Sequence, residues 1–473
     1  MSSNDIVLLT ATQLRDKIRL KQLSSEEVLM AHLEQIDRVN PILNAIVTLC
    51  PDLGLQAARQ IDKSILRNEH IGPLAGLPVA HKDLVITRDI RTTYGSPIFS
   101  DFIPDQDALI VERLKLAGAV TIGKTNTPEF GAGSQTFNNV FGETVNPYDI
   151  TKTCGGSSGG AAVALAARMV PLADGSDTGG SLRNPASFCN IVGFRPSPGR
   201  VPIYPSKISW SPISVQGPMA RTVADCALML SAISGPDSRV PISIPEPGQG
   251  FLRPLERNFK GVRIAWSQNL GGLPFDNRIT DVIANSIQHF ESFGCDVVEA
   301  TPDLSFADEI FKIWRGWGRE INEGVLLREN RNLLKDTMIW DVEQGVGLLG
   351  PDIGWAESER TALFLRMHAF MEQYEFIICP VTQVPPFDVR QRFISEIDGV
   401  KMDSFIDWMK SCYYITVTGH PAISVPCGFT DNGLPVGIQI VGRYRDDFGV
   451  LQLAKAFEDA THFGQQLPVI LAS

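Results

Sequence analysis

The stretch Thr153–Asn190, TCGGSSGGAAVALAARMVPLADGSDTGGSLRNPASFCN, decides how the chain folds. Its alanine-rich centre, Ser158 to Met169, predicts a helix able to pack closely in a core. VPLADGSDTGGS then predicts a short strand running into a glycine turn. Gly- and Ser-dense turns flank the helix, and such turns bring backbone close to something else. The stretch contains no histidine, so any serine acting here must lose its proton to a group elsewhere.

Working outward, the same alternation continues. DALIVERLKLA (107–117) predicts an amphipathic helix ended by Gly118, before the strand AVTIGKTN (119–126). GVRIAWSQ, DVIANSIQHFESFG and CDVVEA (261–300) predict a β-α-β unit. Residues 305–370 are expected to be mainly helical and carry Trp314, Trp317, Trp340 and Trp355. EFIICPVTQVPP, PAISVPCGF and LPVGIQIVG are strand-like, and DFGVLQLAKAFEDAT predicts a final helix. Near the start, Ser24 and Glu27 form a capping box, and Leu29, Leu33 and Ile36 recur at helical spacing until Pro41, expected to end the helix. GPLAGLPVAHKDLVIT (72–87) predicts buried strands with tight connections. With no internal repeat and no long linker, the expected fold class is α/β: a single large domain, 1–473, with a mixed central β-sheet flanked by helices.

Composition excludes several functions. Across 473 residues, 44% hydrophobic and 20% charged residues predict a globular chain with a large core. A net charge of −11 argues against a nucleic-acid partner. Eight cysteines without a Cys-x-x-Cys pair predict reduced core thiols and a cytoplasmic setting, and His and Cys are too scattered for a zinc site. No basic region precedes an apolar run at the start, and no uninterrupted apolar stretch is long enough for a membrane span.

Three chemistries compete for the Gly/Ser stretch. A phosphate cradle fails for want of a GK[ST] ending or a GxGxxG. A nucleophile elbow matches Gly155-Gly156-Ser157-Ser158-Gly159, but it needs an acid and then a histidine downstream. His289, His368, His420 and His462 are available; His420, in TGHPAIS, is best placed, though a satisfied polar residue at a loop end is its favoured reading. The third chemistry uses a lysine, since burial disfavours the ammonium and yields a base. Lys82, at the end of an apolar run, is the candidate; pairing with Asp83 is its bland alternative.

GLPVAHKDL (76–84), GKTNTPEFG (123–131), GETVNPYD (142–149), CGGSSGGAAVALAA (154–167) and DGSDTGGSLRNPASFCNIVGFRPSPGRVP (174–202) occur in this order, followed by PAISVPCGF and GLPVGIQIVG. Together they resemble the amidase signature family of Ser-Ser-Lys amidohydrolases, over nearly the whole chain. The resemblance implies that Ser181 is the nucleophile, Lys82 the general base, and Ser157 the serine bridging them after a cis Gly156–Ser157 bond. Ser158 would then only open a helix. It further implies an oxyanion hole from the backbone of Thr178, Gly179, Gly180 and Ser181, a loop braced by Asp177 and Arg183, and substrate contacts at Gly131, Ala132 and Gly133. No cofactor and no metal is implied.

The expected activity is hydrolysis of a carboxylic acid amide through an acyl-enzyme, with esters or carbamates as further substrates. The partner would be a small-molecule amide, and a homodimer is allowed for. The N-terminal helical segment is placed at about 8–70, the catalytic core at about 71–235 and the variable substrate region at about 305–410. There Phe311, Trp314 and Trp317 suggest a partly apolar pocket for neutral, apolar or aryl amides, and equally suit plain core packing. Two rivals stand: the glutamine-hydrolysing component of glutamyl-tRNA amidotransferase, and an inactive binding protein on the same scaffold. That component usually has Asp-Glu-Phe-Ala-Met-Gly where this chain has Thr127-Pro128-Glu129-Phe130-Gly131.

Overall fold

The computed structural model describes residues 1–471. Eleven strands form one mixed sheet. In chain order they are β1 (Ile46–Leu49), β2 (Pro78–Lys82), β3 (Val120–Thr125), β4 (Leu172–Asp177), β5 (Val192–Arg195), β6 (Val215–Ala220), β7 (Arg263–Trp266), β8 (Asp296–Glu299), β9 (Phe376–Pro380), β10 (Ala422–Phe429) and β11 (Pro435–Gly442). Across the sheet the order is β1-β3-β2-β4-β6-β5-β10-β11-β9-β7-β8. β3, β2 and β4 run parallel, as do β9, β7 and β8, while the strands between them pair antiparallel.

Both faces of the sheet are buried, and the period-2 alternation of side chains sorts them. Phe376 and Ile378 of β9, Ile423 and Val425 of β10, and Ile438 and Ile440 of β11 join one core with helices Val223–Ile233, Asn277–Ser292 and Asp447–Thr461. Their neighbours Ile377, Cys379, Ala422 and Val441 join a second core with Ala307–Asn330 and Gly350–Gln373. At the other end, Ala80, Val120 and Ala173 pack with helices Ser25–Leu43 and Gly159–Ala166. Lys82 has the parity of Ala80 on β2, so its side chain leaves the sheet on the face that Gly159–Ala166 covers.

The α/β reading, the β-α-β unit and the C-terminal strands are all present, with differences at boundaries. Pro41 does not stop the first long helix, which runs to Leu43. A proline so near the C-terminus costs one hydrogen bond in a turn that frays anyway. The capping box of Ser24 and Glu27 forms as expected. Of GPLAGLPVAHKDLVIT only Pro78–Lys82 is a strand. The helices expected at 107–117 and 158–169 shorten to Leu109–Leu116 and Gly159–Ala166. All eight cysteines are free thiols, and seven are buried. Among the described residues, no helix is long and apolar enough to cross a membrane.

Candidate active site

The parallel pairing of β2 with β4, Ala80 opposite Ala173, brings the ends of both strands to one edge. Asp174 of β4 fixes the end of β2: its carboxylate accepts the Lys82 N–H at 2.8 Å and meets His81 Nδ1 at 2.5 Å. Beyond this clamp the Lys82 side chain is fully buried. Its Nζ lies 2.8 Å from Ser157 Oγ, 2.9 Å from Ser158 Oγ and 3.0 Å from Ser176 Oγ. No carboxylate pairs with it among the described residues. Lys82 does not pair with Asp83, whose carboxylate accepts from Thr93. Burial pulls the Lys82 amine down to about 7, against the attraction of Asp177 and Asp174. An amine at that value is neutral in a large fraction of molecules at pH 7. It then has two N–H donors and a lone pair to share among three hydroxyls.

Ser157 follows a cis Gly156–Ser157 bond and is buried. Ser158 has more than a helix-opening position: it makes no side-chain cap, and its hydroxyl is held by the lysine instead. Ser176, the third partner, was not singled out by the sequence.

Ser181 is half-buried, and its hydroxyl makes no hydrogen bond among the described residues. It shares a cavity of about 240 Å³ with Ser157, Ser176, Thr178 and Gly179. Thus Lys82, Ser157, Ser158 and Ser176 are joined by hydrogen bonds, and Ser181 joins them by facing the same space.

The turn carrying Ser181 is held from below. Asp177 is fully buried and accepts from the backbone of Gly180 (2.9 Å) and Leu182 (3.2 Å) and from Arg183 Nε and Nη2 (both 3.0 Å). Arg195, not singled out by the sequence, adds a contact to the Asp177 carboxylate at 3.1 Å. Burial alone would raise the Asp177 carboxyl, but the two guanidinium groups hold it well below the usual range. Arg183 also donates to Cys412 O and Thr416 Oγ1, tying the turn to helix Lys410–Thr418. Asp177→Ala would leave two buried guanidinium groups without their anion. The expected loss is on the order of 3–5 kcal/mol of unfolding free energy, read from urea midpoints, with amidase turnover falling alongside.

The Asp177 contact bears on the four amides expected to form an oxyanion hole. The Gly180 N–H is already engaged, so the amides left for a ligand are those of Thr178, Gly179 and Ser181. Gly180 serves shape instead: at φ +116° its Cβ would lie 2.5 Å from the Cys412 Cβ.

Of the three expected substrate contacts, Gly131 and Gly133 line the cavity. At Gly131 a Cβ would sit 3.3 Å from Ser157 Oγ and 2.9 Å from Leu84 Cδ1, so only glycine leaves that hydroxyl unobstructed. Ala132 does not line the cavity. Its side chain turns away to pack with Leu327, Met338 and Val342, and its carbonyl accepts from Lys335 Nζ at 3.0 Å.

Helix Ala307–Asn330 forms one wall. Trp314 lines the cavity, and Trp317 supports it edge-on at 5.2 Å. Phe311 is core, stacked on Tyr413 at 4.1 Å. The same wall presents Arg315, Arg319 and Asn322, which were not singled out by the sequence although their spacing fits one helix face. Arg315 grips Asp341 through two hydrogen bonds of 2.9 and 2.5 Å, and Arg319 donates to Phe130 O at 2.8 Å.

His420 takes its bland role. It is buried against Phe364 and Tyr444, its imidazole pushed down to about 4 by burial, and it does not line the cavity. Among the described residues no group of three or more His, Cys, Asp or Glu is arranged to hold a metal ion.

The Amidase family profile matches residues 27–451. An acylamidase of Rhodococcus erythropolis is 35% identical, over 99% of this chain and 98% of its own. A glutamyl-tRNA(Gln) amidotransferase component of Dehalococcoides mccartyi is 32% identical, over 98% of this chain and 99% of its own. Among solved structures, that of a bacterial aryl acylamidase of the amidase signature family gives a TM-score of 0.91 at 28% identity, covering 98% of each chain.

Proposed function

The chain belongs to the amidase signature family of amide C–N hydrolases, and from that premise we propose a serine amidase whose proton carrier is Lys82. The observation that carries this reading is a buried lysine amine, paired with no carboxylate among the described residues, within 2.8 Å of a hydroxyl that opens onto the Ser181 cavity. Ser181 Oγ attacks the carbonyl carbon while its proton passes to Ser157, whose own proton moves to the neutral Lys82 Nζ. The carbonyl oxygen becomes an oxyanion facing the N–H groups of Thr178, Gly179 and Ser181. The relay then reverses: Lys82 returns its proton to Ser157, Ser157 protonates the leaving nitrogen, and the C–N bond breaks. Water, deprotonated through the same hydroxyl, releases the acid and restores Ser181.

Within the single domain, residues of about 71–235 do this chemistry, and the region of about 305–410 supplies Trp314, Arg315, Arg319 and Met409 to the pocket wall. Apolar Leu84, Ile203, Ile213, Trp314 and Met409 support a neutral acyl or aryl amide as substrate. Esters and carbamates present the same carbonyl to the same amides and are proposed as further substrates. The rival role, glutamine hydrolysis within a tRNA amidotransferase, keeps its relatives at 32% identity. Initial rates on aryl acylamides, glutamine and short peptide amides decide between them. Faster turnover of aryl acylamides is expected, and a clear preference for glutamine overturns the assignment.

Ser157→Ala separates relay from simple support. Amine departure needs a proton, whereas an alkoxide leaves more readily without one. The variant is expected to lose about 10²–10⁴-fold on an amide and distinctly less on the matched ester. Equal losses on both would contradict the relay.

A further inference from the structure

A second cavity, of about 520 Å³, shares no lining residue with the Ser181 cavity. It lies where the N-terminal helices, the turn after Gly159–Ala166, the start of Val223–Ile233 and the end of Asp447–Thr461 meet. Two of its lining residues are arginines, Arg168 and Arg221, only 8% and 6% exposed. Neither forms an ion pair among the described residues. Each keeps a buried N–H without a partner, Nε on Arg168 and Nη1 on Arg221. Their remaining contacts are weak neutralisers: Arg168 Nη1 donates to Leu165 O at 3.4 Å, and Arg221 Nη2 donates to Leu9 O.

Of the nearby carboxylates, Asp225 attracts Arg221 from beyond ion-pair distance, and the hydrogen bonds of all three go to other groups. Asp225 accepts the Ala11 and Thr12 N–H groups at 3.1 and 2.8 Å. Asp459 holds Lys455 at 2.5 Å. Glu458 accepts the Val223 N–H at 2.9 Å, and burial raises it to about 7, which weakens it as a counter-charge. Two buried guanidinium groups lining one cavity repel one another and favour an anion between them. Burial and the neighbouring Arg168 pull Arg221 down to about 9, against the attraction of Asp225.

We propose that this cavity is a second binding site, taking a small phosphorylated or carboxylated anion between Arg168 and Arg221. Planar guanidinium forks match the paired oxygens of either group. Thr10, Thr12 and Thr222 also line the space and offer hydroxyls to the remaining oxygens.

Inorganic phosphate and citrate, each against sodium chloride at matched ionic strength, test this on the full-length protein by calorimetry and thermal unfolding. One or both anions are expected to raise the midpoint by roughly 3 °C at about a hundredfold excess over Kd, with chloride inert. A response to phosphate alone identifies a phosphorylated ligand, and to citrate alone a carboxylated one. Arg168→Met and Arg221→Met should each abolish the shift while leaving amidase rates in anion-free buffer unchanged. No response beyond chloride, or an undiminished response in folded variants, overturns the site. Should the variants not fold, hydrogen exchange on the wild-type protein decides. Anion-induced protection over 165–171, 221–224 and 455–467 supports the site, and protection confined elsewhere refutes it.

Discussion

Ser181→Ala is expected to lower kcat on any amide by at least about 10⁴-fold and to leave thermal stability within about 0.5 kcal/mol of wild type. Both halves follow from one property of the residue. The hydroxyl is half-buried, faces the cavity and makes no hydrogen bond among the described residues, so its loss removes nothing that holds the fold together. The atom proposed to bond to the substrate carbon is gone, and neither Ser157 nor Ser176 is expected to replace it. Ser157 Oγ and Ser176 Oγ are already drawn to the lysine at 2.8 and 3.0 Å. Unfolding midpoints and initial rates check the two halves separately. A variant that still carries acyl groups on a serine would place the nucleophile elsewhere.

Lys82→Met is the second large effect. Methionine retains a long unbranched side chain in the buried channel but has no proton to exchange. The relay then ends at Ser157, and kcat/KM is expected to fall by about 10³–10⁴-fold. The wild-type profile carries a diagnostic sign. Below about 7 the amine is mostly protonated and cannot take the proton relayed through Ser157, so activity is expected to rise as pH passes upward through that value. The residual activity of the methionine variant should lack this ascending limb. Retention of the limb without Lys82 would assign the titration to another group.

The sequence made Lys82 visible because an ammonium at the end of an apolar run is costly unless used or paired. Ser157 and Ser181 were visible because their glycine turns carry the family pattern. Ser158 and Ser176 were hidden for a different reason. A serine among many serines carries no signal, and their role arises only when the parallel register of β2 and β4 puts both strand ends beside one helix start. The same holds for Asp174 and Arg195, whose partners lie across strands rather than along the chain. Thr178 to Ser181 read as four equivalent amides until the Asp177 carboxylate, folding back on its own turn, claimed one of them. Ala132 fell between two glycines that do line the cavity, yet an irregular turn sends its methyl group the other way. Arg315, Arg319 and Asn322 were legible in principle, since they share a helix face with Trp314.

The central claim is a neutral amine at Lys82 drawing the proton from Ser181. Its most direct measurement is the pH dependence of Ser181 modification by an uncharged fluorophosphonate, followed by intact mass, with the modified peptide identified. This isolates the attacking step from product release. The account predicts one adduct, on Ser181, forming at a rate that rises sigmoidally with a midpoint near 7. A rate independent of pH between about 5 and 10, across the span from a lowered to an ordinary lysine, would contradict it.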